Sequence, residues 1–99
     1  MVDEAISQYK KALSLQPNQV KTRFNLGAAY YKKGMVDKAI TEYKKLLTAK
    51  SNSARAHYNL SLAYYKKGNY KLAIAHCDRA VKQGFRVSFQ FLKKLEPYR

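Results

Sequence analysis

Leu26-Gly27-Ala28-Ala29-Tyr30-Tyr31-Lys32-Lys33-Gly34 runs directly into Met35-Val36-Asp37-Lys38-Ala39-Ile40-Thr41-Glu42-Tyr43. Outward from this stretch, both halves recur. Met1-Val2-Asp3-Glu4-Ala5-Ile6 precedes Met35-Val36-Asp37-Lys38-Ala39-Ile40 at an offset of 34, and Tyr9-Lys10-Lys11 precedes Tyr43-Lys44-Lys45 at the same offset. Downstream, Asn25-Leu26 and Tyr30-Tyr31-Lys32-Lys33-Gly34 return as Asn59-Leu60 and Tyr64-Tyr65-Lys66-Lys67-Gly68, and Ala39-Ile40 returns as Ala73-Ile74. One fixed period of this size marks an array of supersecondary units, each burying its apolar face against its neighbours.

Each unit reads as two helices. Leu26, Tyr30 and Lys33 share a face by the i, i+4, i+7 rule. Gly34 and Gly68 stop the first helix, where a backbone with φ > 0 suits glycine. Asp37 opens the second, where a carboxylate complements the helix N-terminus. Ala39, Ile40, Tyr43 and Leu47 form its apolar stripe. Pro17 closes one loop, and Ser51-Asn52-Ser53 takes its place in the next. Helices are therefore expected near 2–15, 19–33, 36–49, 53–67, 70–83 and 88–96. Gly27 and Ser61 are expected at close approach to a neighbouring helix, as are Ala5, Ala39 and Ala73 from the other side, because a bulky side chain there would open the hairpin.

At these residues the chain resembles the tetratricopeptide repeat family, whose pattern W-x2-L-G-x2-Y, A-x3-F and P has a period of 34. Leu26-Gly27-x2-Tyr30 and Ala39-x3-Tyr43 match it. Leu60-Ser61-x2-Tyr64 and Ala73-x3-Cys77 match with substitutions. Arg23 and His57 stand at the tryptophan position, and Ser51 and Phe85 at the proline. The resemblance implies an all-α, right-handed α-solenoid of antiparallel helix hairpins, about two and a half repeats plus a C-terminal capping helix. As one domain, it would comprise the second half of a truncated repeat (1–19), full repeats (20–53 and 54–87) and the cap (88–99). In the cap, Ser88 is the expected N-cap, Phe89, Phe91, Leu92 and Leu95 the apolar side, and Pro97 the stop, with Phe85 plugging the joint.

Composition narrows the functional classes. The 99 residues carry 20 Lys plus Arg against 6 Asp plus Glu, a net charge of +14, which favours acidic partners. No apolar run spans a membrane, and the first residues do not read as a signal peptide. A cytoplasmic location is the default expectation, for a chain that can be a piece of a longer one. Cys77 is the single cysteine and has no companions at metal spacing, so neither metal nor cofactor is expected. His76-Cys77-Asp78 is contiguous, but neighbours on a helix point about 100° apart and do not converge as a triad. Cys77 also fills the slot of Tyr9 and Tyr43, a core position. A scaffold, not an enzyme, is expected.

In tetratricopeptide arrays the first helix of each hairpin lines the concave face. By resemblance, the peptide-binding candidates are Lys21, Phe24, Asn25, Ala28, Tyr31 and Lys32, with Arg55, Tyr58, Asn59, Leu62, Tyr65 and Lys66 as counterparts. Cations supply charge, asparagines can grip a peptide backbone through both amide groups, and tyrosines give rigid contact area. The expected partner is an acidic peptide or protein segment. Asn25 and Arg55 match positions of the clamp by which some family members hold a carboxylate, although Asn59 stands where a second cation is usual. Nucleic acid is the alternative partner: five Lys-Lys doublets supply charge and nine tyrosines could stack bases, but the doublets follow the repeat and no base-reading pair recurs. A self-associating structural role is the third reading. Ala5, Ile6, Tyr9 and Leu13 are expected to face the absent first helix of their hairpin, and to pair two copies through helix 2–15.

Overall fold

The computed structural model describes residues 1–99 and contains helices and turns only. The helices are α1 (Val2–Leu15), α2 (Val20–Lys32), α3 (Val36–Ala49), α4 (Ala54–Lys67), α5 (Tyr70–Lys82) and α6 (Phe89–Leu95), followed by one 3-10 turn (Glu96–Tyr98). All expected bounds hold within one residue. By its contacts the chain divides into two compact units, Met1–Ser51 and Asn52–Arg99.

Local chemistry sets the helix ends. Asp3 and Glu4 lie in the first turn of α1 and Asp37 in that of α3, where negative charge is favourable. The helices of the second unit are capped by side chains: Ser53, Asn69 and Ser88 each accept a hydrogen bond of 3.3 Å from the backbone N–H three residues on. Gly34 and Gly68 have φ of 89° and 85°. Beyond them, the Met35 and Asn69 amides reach back 2.9 Å to the carbonyls of Tyr30 and Tyr64, satisfying acceptors that the helix end leaves open. Gly84 makes a third turn of this kind, with the Phe85 amide on the Ala80 carbonyl.

In the first unit α2 packs between α1 and α3. Ala39, Ile40, Tyr43 and Leu46 are the buried stripe of α3, and Leu47 is only half-buried. The sequence expectation had placed Leu47 on that stripe; Leu46, seven residues after the fully buried Ala39, lies within about 20° of it, whereas Leu47 is turned about 80° away. The α2–α3 joint closes on Gly27. A Cβ there would sit 2.8 Å from Cε1 of the Tyr43 ring, and Phe24 meets the same ring edge-on at 5.8 Å. On α1, Ile6 and Leu13 are buried, whereas Ala5 and Tyr9 stay half-exposed.

In the second unit α4 pairs with α5, and α6 lies on α5. Ser61 takes the slot of Gly27 and donates a 2.5 Å hydrogen bond to the Ala73 carbonyl. Its hydroxyl also bonds the Cys77 thiol, in the slot of Tyr43. A residue with a side chain thus faces a small partner where glycine faces a large one. Phe91 and Leu95 form the inner side of α6, with Leu92 half-buried. Phe89, expected on that side, lies 69% exposed with the Lys93 ammonium 5.7 Å from its ring, because it is two residues and hence some 200° from Phe91.

Candidate functional site

The candidate binding residues fall into distinct settings. On α2, Lys21 and Lys32 are exposed, and Phe24, Asn25, Ala28 and Tyr31 are half-buried. Phe24 is held by Tyr43, so its ring belongs to the hairpin joint. Asn25, Ala28 and Lys32 instead line one wall of an open groove of about 440 Å³, whose other wall is Val2, Ala5 and Tyr9 of α1. Two residue sets that the sequence kept apart, one for peptide and one for self-association, share this groove. Ile6 and Leu13 do not line it. They turn into the first unit because α1 has α2 to cover them, leaving Ala5 and Tyr9 for the open side.

On α4, Arg55 and Lys66 are exposed, and Asn59 and Leu62 half-buried. Tyr58 and Tyr65 are engaged within their own unit. Tyr58 stacks on Phe85 at 4.6 Å and meets Phe91 edge-on at 5.9 Å. Tyr65 meets Tyr70, Phe91 and Tyr98 edge-on, and Tyr98 stacks on Tyr70 at 3.6 Å. The Tyr70 hydrogen bond raises the Tyr98 hydroxyl above its ordinary pKa. Arg99 then holds Asp78 through two bonds of 2.8 and 3.2 Å. The last residues therefore strap the cap to α5. The expected plug, Phe85, is part of this cluster.

One pairing was not anticipated. Arg23 Nη1 lies 2.7 Å from Glu42 Oε1 across the α2–α3 joint, with both side chains largely buried, and Nη2 donates to the Pro17 carbonyl. The same repeat slots in the second unit hold His57 and His76, Nδ1 to Nδ1 at 3.0 Å, with stacked rings. Tyr64 stacks on His76 at 5.6 Å. The period of 34 that aligns Arg23 with His57 also aligns Glu42 with His76, and this was the signal available in the sequence.

The arrangement around Cys77 is that of a core. Cys77 is fully buried, and desolvation, with Asp78 nearby, pushes its thiol pKa up. His76 turns to His57 and Asp78 to Arg99, so the three neighbours diverge. A hollow of about 280 Å³ lies beside Pro17, Val20 and Leu46, but its Arg23 is already committed to Glu42 and Pro17.

With the hairpins, turns and joints in view, family models described as TPR repeat match residues 2–34 and 30–68, and one described as tetratricopeptide repeat matches 54–83. The chain belongs to the tetratricopeptide repeat family. Solved structures agree with this tetratricopeptide fold. A crystal structure of MamA superposes with a TM-score of 0.81 at 35% identity, covering 84% of this chain and 48% of that one. A mutant form of MamA gives 0.82 at 26% identity, covering 87% and 63%. YrrB, described as a TPR protein with an unusual peptide-binding site, gives 0.80 at 25% identity, covering 84% and 43%. The chain thus spans about half the length of the first of these neighbours. Comparison with curated protein sequences gave no match. The tetratricopeptide fold makes this a protein-interaction module, and no helix in it is long and apolar enough to cross a membrane.

Proposed function

We propose that this tetratricopeptide module binds an acidic peptide or protein segment through the cation-and-amide faces of its first-type helices, α2 and α4. The observation that carries this reading is the recurrence of one surface pattern. Lys21 and Arg55 occupy equivalent repeat positions, as do Lys32 and Lys66, and all four are exposed. Along each helix, the stretch from one cation to the other carries a half-buried pair, Asn25 and Ala28 on α2, Asn59 and Leu62 on α4. Cations at the ends attract carboxylates, and the amides can bond a peptide backbone at both its donor and acceptor. A net charge of +14 strengthens the encounter with acidic chains.

The tyrosine inventory favours protein over nucleic acid. Tyr30, Tyr43 and Tyr64 are buried, and Tyr58, Tyr65, Tyr70 and Tyr98 are engaged with other rings. Few remain as stacking platforms of the kind single strands use. The test is fluorescence anisotropy of a labelled acidic peptide in extended form, with single-stranded oligonucleotide as competitor. Arg55→Ala with Lys66→Ala should weaken binding by roughly tenfold, and added salt should weaken it steeply, since exposed charges are screened within about 10 Å at 0.1 M. Binding indifferent to the double substitution refutes the site. Preferential capture of the oligonucleotide refutes the partner class.

A further inference from the structure

We infer that the turn joining α5 to α6, where Phe89 stands with the cations Lys82, Arg86 and Lys93, is a contact site for a membrane surface rich in anionic phospholipid. None of these residues belongs to the cation-and-amide faces of α2 and α4, so the two readings use separate side chains.

Repeat packing does not dictate these side chains. Lys82, Arg86 and Phe89 occupy the slots of Thr48, Asn52 and Arg55 one period earlier and of Ser14, Asn18 and Lys21 two periods earlier, and all nine are exposed. Arg55 and Lys21 stay exposed although α5 is packed on α4 and α3 on α2, so exposure at the Phe89 slot belongs to the repeat position itself. Each of the two earlier turns places one cation and no ring in these slots. The last turn places two cations and a ring 69% exposed. Its backbone is well fixed. Gly84 takes φ of 93°, the Phe85 amide donates to the Ala80 carbonyl at 2.9 Å, and the Phe85 ring stacks on Tyr58. Ser88 then caps α6, so Phe89 is presented outward by an ordered turn.

The charge around the ring is of one sign. From Arg79 to Leu95 the chain carries five cations, Arg79, Lys82, Arg86, Lys93 and Lys94, and no acid. All five are exposed, and none holds a carboxylate. Asp78, the nearest acid before them, is taken by Arg99. The Lys93 ammonium lies 5.7 Å from the centre of the Phe89 ring. A single ring among cations lacks the apolar core of a stable protein interface. It suits an anionic bilayer, where cations settle at the headgroups and an aromatic side chain enters the boundary layer beneath them. The Lys93 stem can follow the ring inward while its ammonium stays among the phosphates. A weak apolar anchor and a basic patch hold together where neither holds alone.

The chain contains no tryptophan, so Phe89→Trp makes a single fluorescent reporter at an exposed position. The whole chain is titrated with vesicles of phosphatidylcholine and phosphatidylserine, and with phosphatidylcholine alone. Only the anionic vesicles should shift the emission to the blue and allow quenching by brominated lipid. Lys82→Gln and Arg86→Gln should each weaken vesicle binding roughly fivefold, the worth of one cation near such a surface. Lys71→Gln removes the same charge from the other end of α5, about 16 Å from Lys82 along the helix, and should weaken it less than about twofold. Phe89→Gln should weaken vesicle binding while leaving the extended acidic peptide bound as before. An unshifted reporter on vesicle-bound chain overturns the inference, as does an equal loss from Lys71→Gln and Lys82→Gln, which would mean diffuse attraction by net charge. Competition by soluble glycerophosphoserine overturns the bilayer as the source of the phosphates. Loss of the acidic peptide on Phe89→Gln assigns the ring to that ligand and also overturns it. The peptide assay with Arg55→Ala and Lys66→Ala is read without vesicles, so either reading can fail alone.

Discussion

Gly27→Ala tests the packing logic of the whole hairpin, because two effects of known sign oppose each other there. Gly27 is interior to α2, so alanine should favour the helix by about 1 kcal/mol. Against this, the new Cβ would lie 2.8 and 2.9 Å from Cε1 and Cζ of Tyr43, a ring only 1% exposed. Carbon atoms prefer roughly 3.5–4.0 Å, so the ring must withdraw by about 0.7 Å into a packed interior. Overpacking of that kind typically costs about 1–3 kcal/mol. The sum is a net loss of about 1 kcal/mol, or about 4–8 °C in midpoint for a domain of this size. Thermal and urea unfolding by circular dichroism would read it. The Tyr43→Leu background supplies the control: with the ring gone, Gly27→Ala should be neutral or stabilising. A Gly27→Ala chain more stable than the parent would refute the close approach.

The joint pairs give a second test. His57→Arg alone places a guanidinium at a position 5% exposed and should cost about 1–3 kcal/mol, while His57→Arg with His76→Glu should recover most of it by reproducing the Arg23–Glu42 pair. Urea midpoints of the singles and the double decide this, and strict additivity would refute the equivalence of the two joints. A third test concerns Cys77. Because its folded pKa is raised, the native chain keeps the proton that the unfolded chain releases, so stability should fall as pH rises past the ordinary thiol range. Thiol labelling in native buffer should be no faster than opening of the hairpin, and rapid stoichiometric labelling would contradict the burial.

The helices were legible in the sequence because the period, the glycine stops and the early Asp37 point to one answer. What escaped was set by partners. Leu46 and Leu47 are adjacent apolar residues, and only the phase of α3 against α2 decides that Leu46 goes inside. Ile6 and Leu13 looked like an open face until α2 was seen to cover them. Tyr58 and Tyr65 lie at positions where the family resemblance implies ligand contacts, yet their rings meet Phe85, Tyr70, Phe91 and Tyr98, and Phe91 and Tyr98 lie beyond the last repeat. His57 and His76 were each visible as repeat positions, but their pairing appears only when two helices are laid side by side. Lys21, Lys32, Arg55 and Lys66 were read correctly as surface residues because exposure of lysine and arginine is their ordinary state.

The contrast between the two hairpin joints bears on how the chain finds its pairing while folding. α2 and α4 are close relatives, and so are α3 and α5, so a collapsing chain meets two wrong combinations that look nearly right. If α4 closed on α3, Ser61 would bring a side chain against the Tyr43 ring, where even a bare Cβ has no room beside Gly27. If α2 closed on α5, Gly27 would face the small Cys77 and leave a void, and Arg23 would meet His76 with Glu42 left behind. Repeat chains are prone to such crossed pairings, which persist as kinetic traps. Here volume is mismatched in both, and charge as well when α2 closes on α5, so a crossed hairpin should reopen before its neighbours can lock it in.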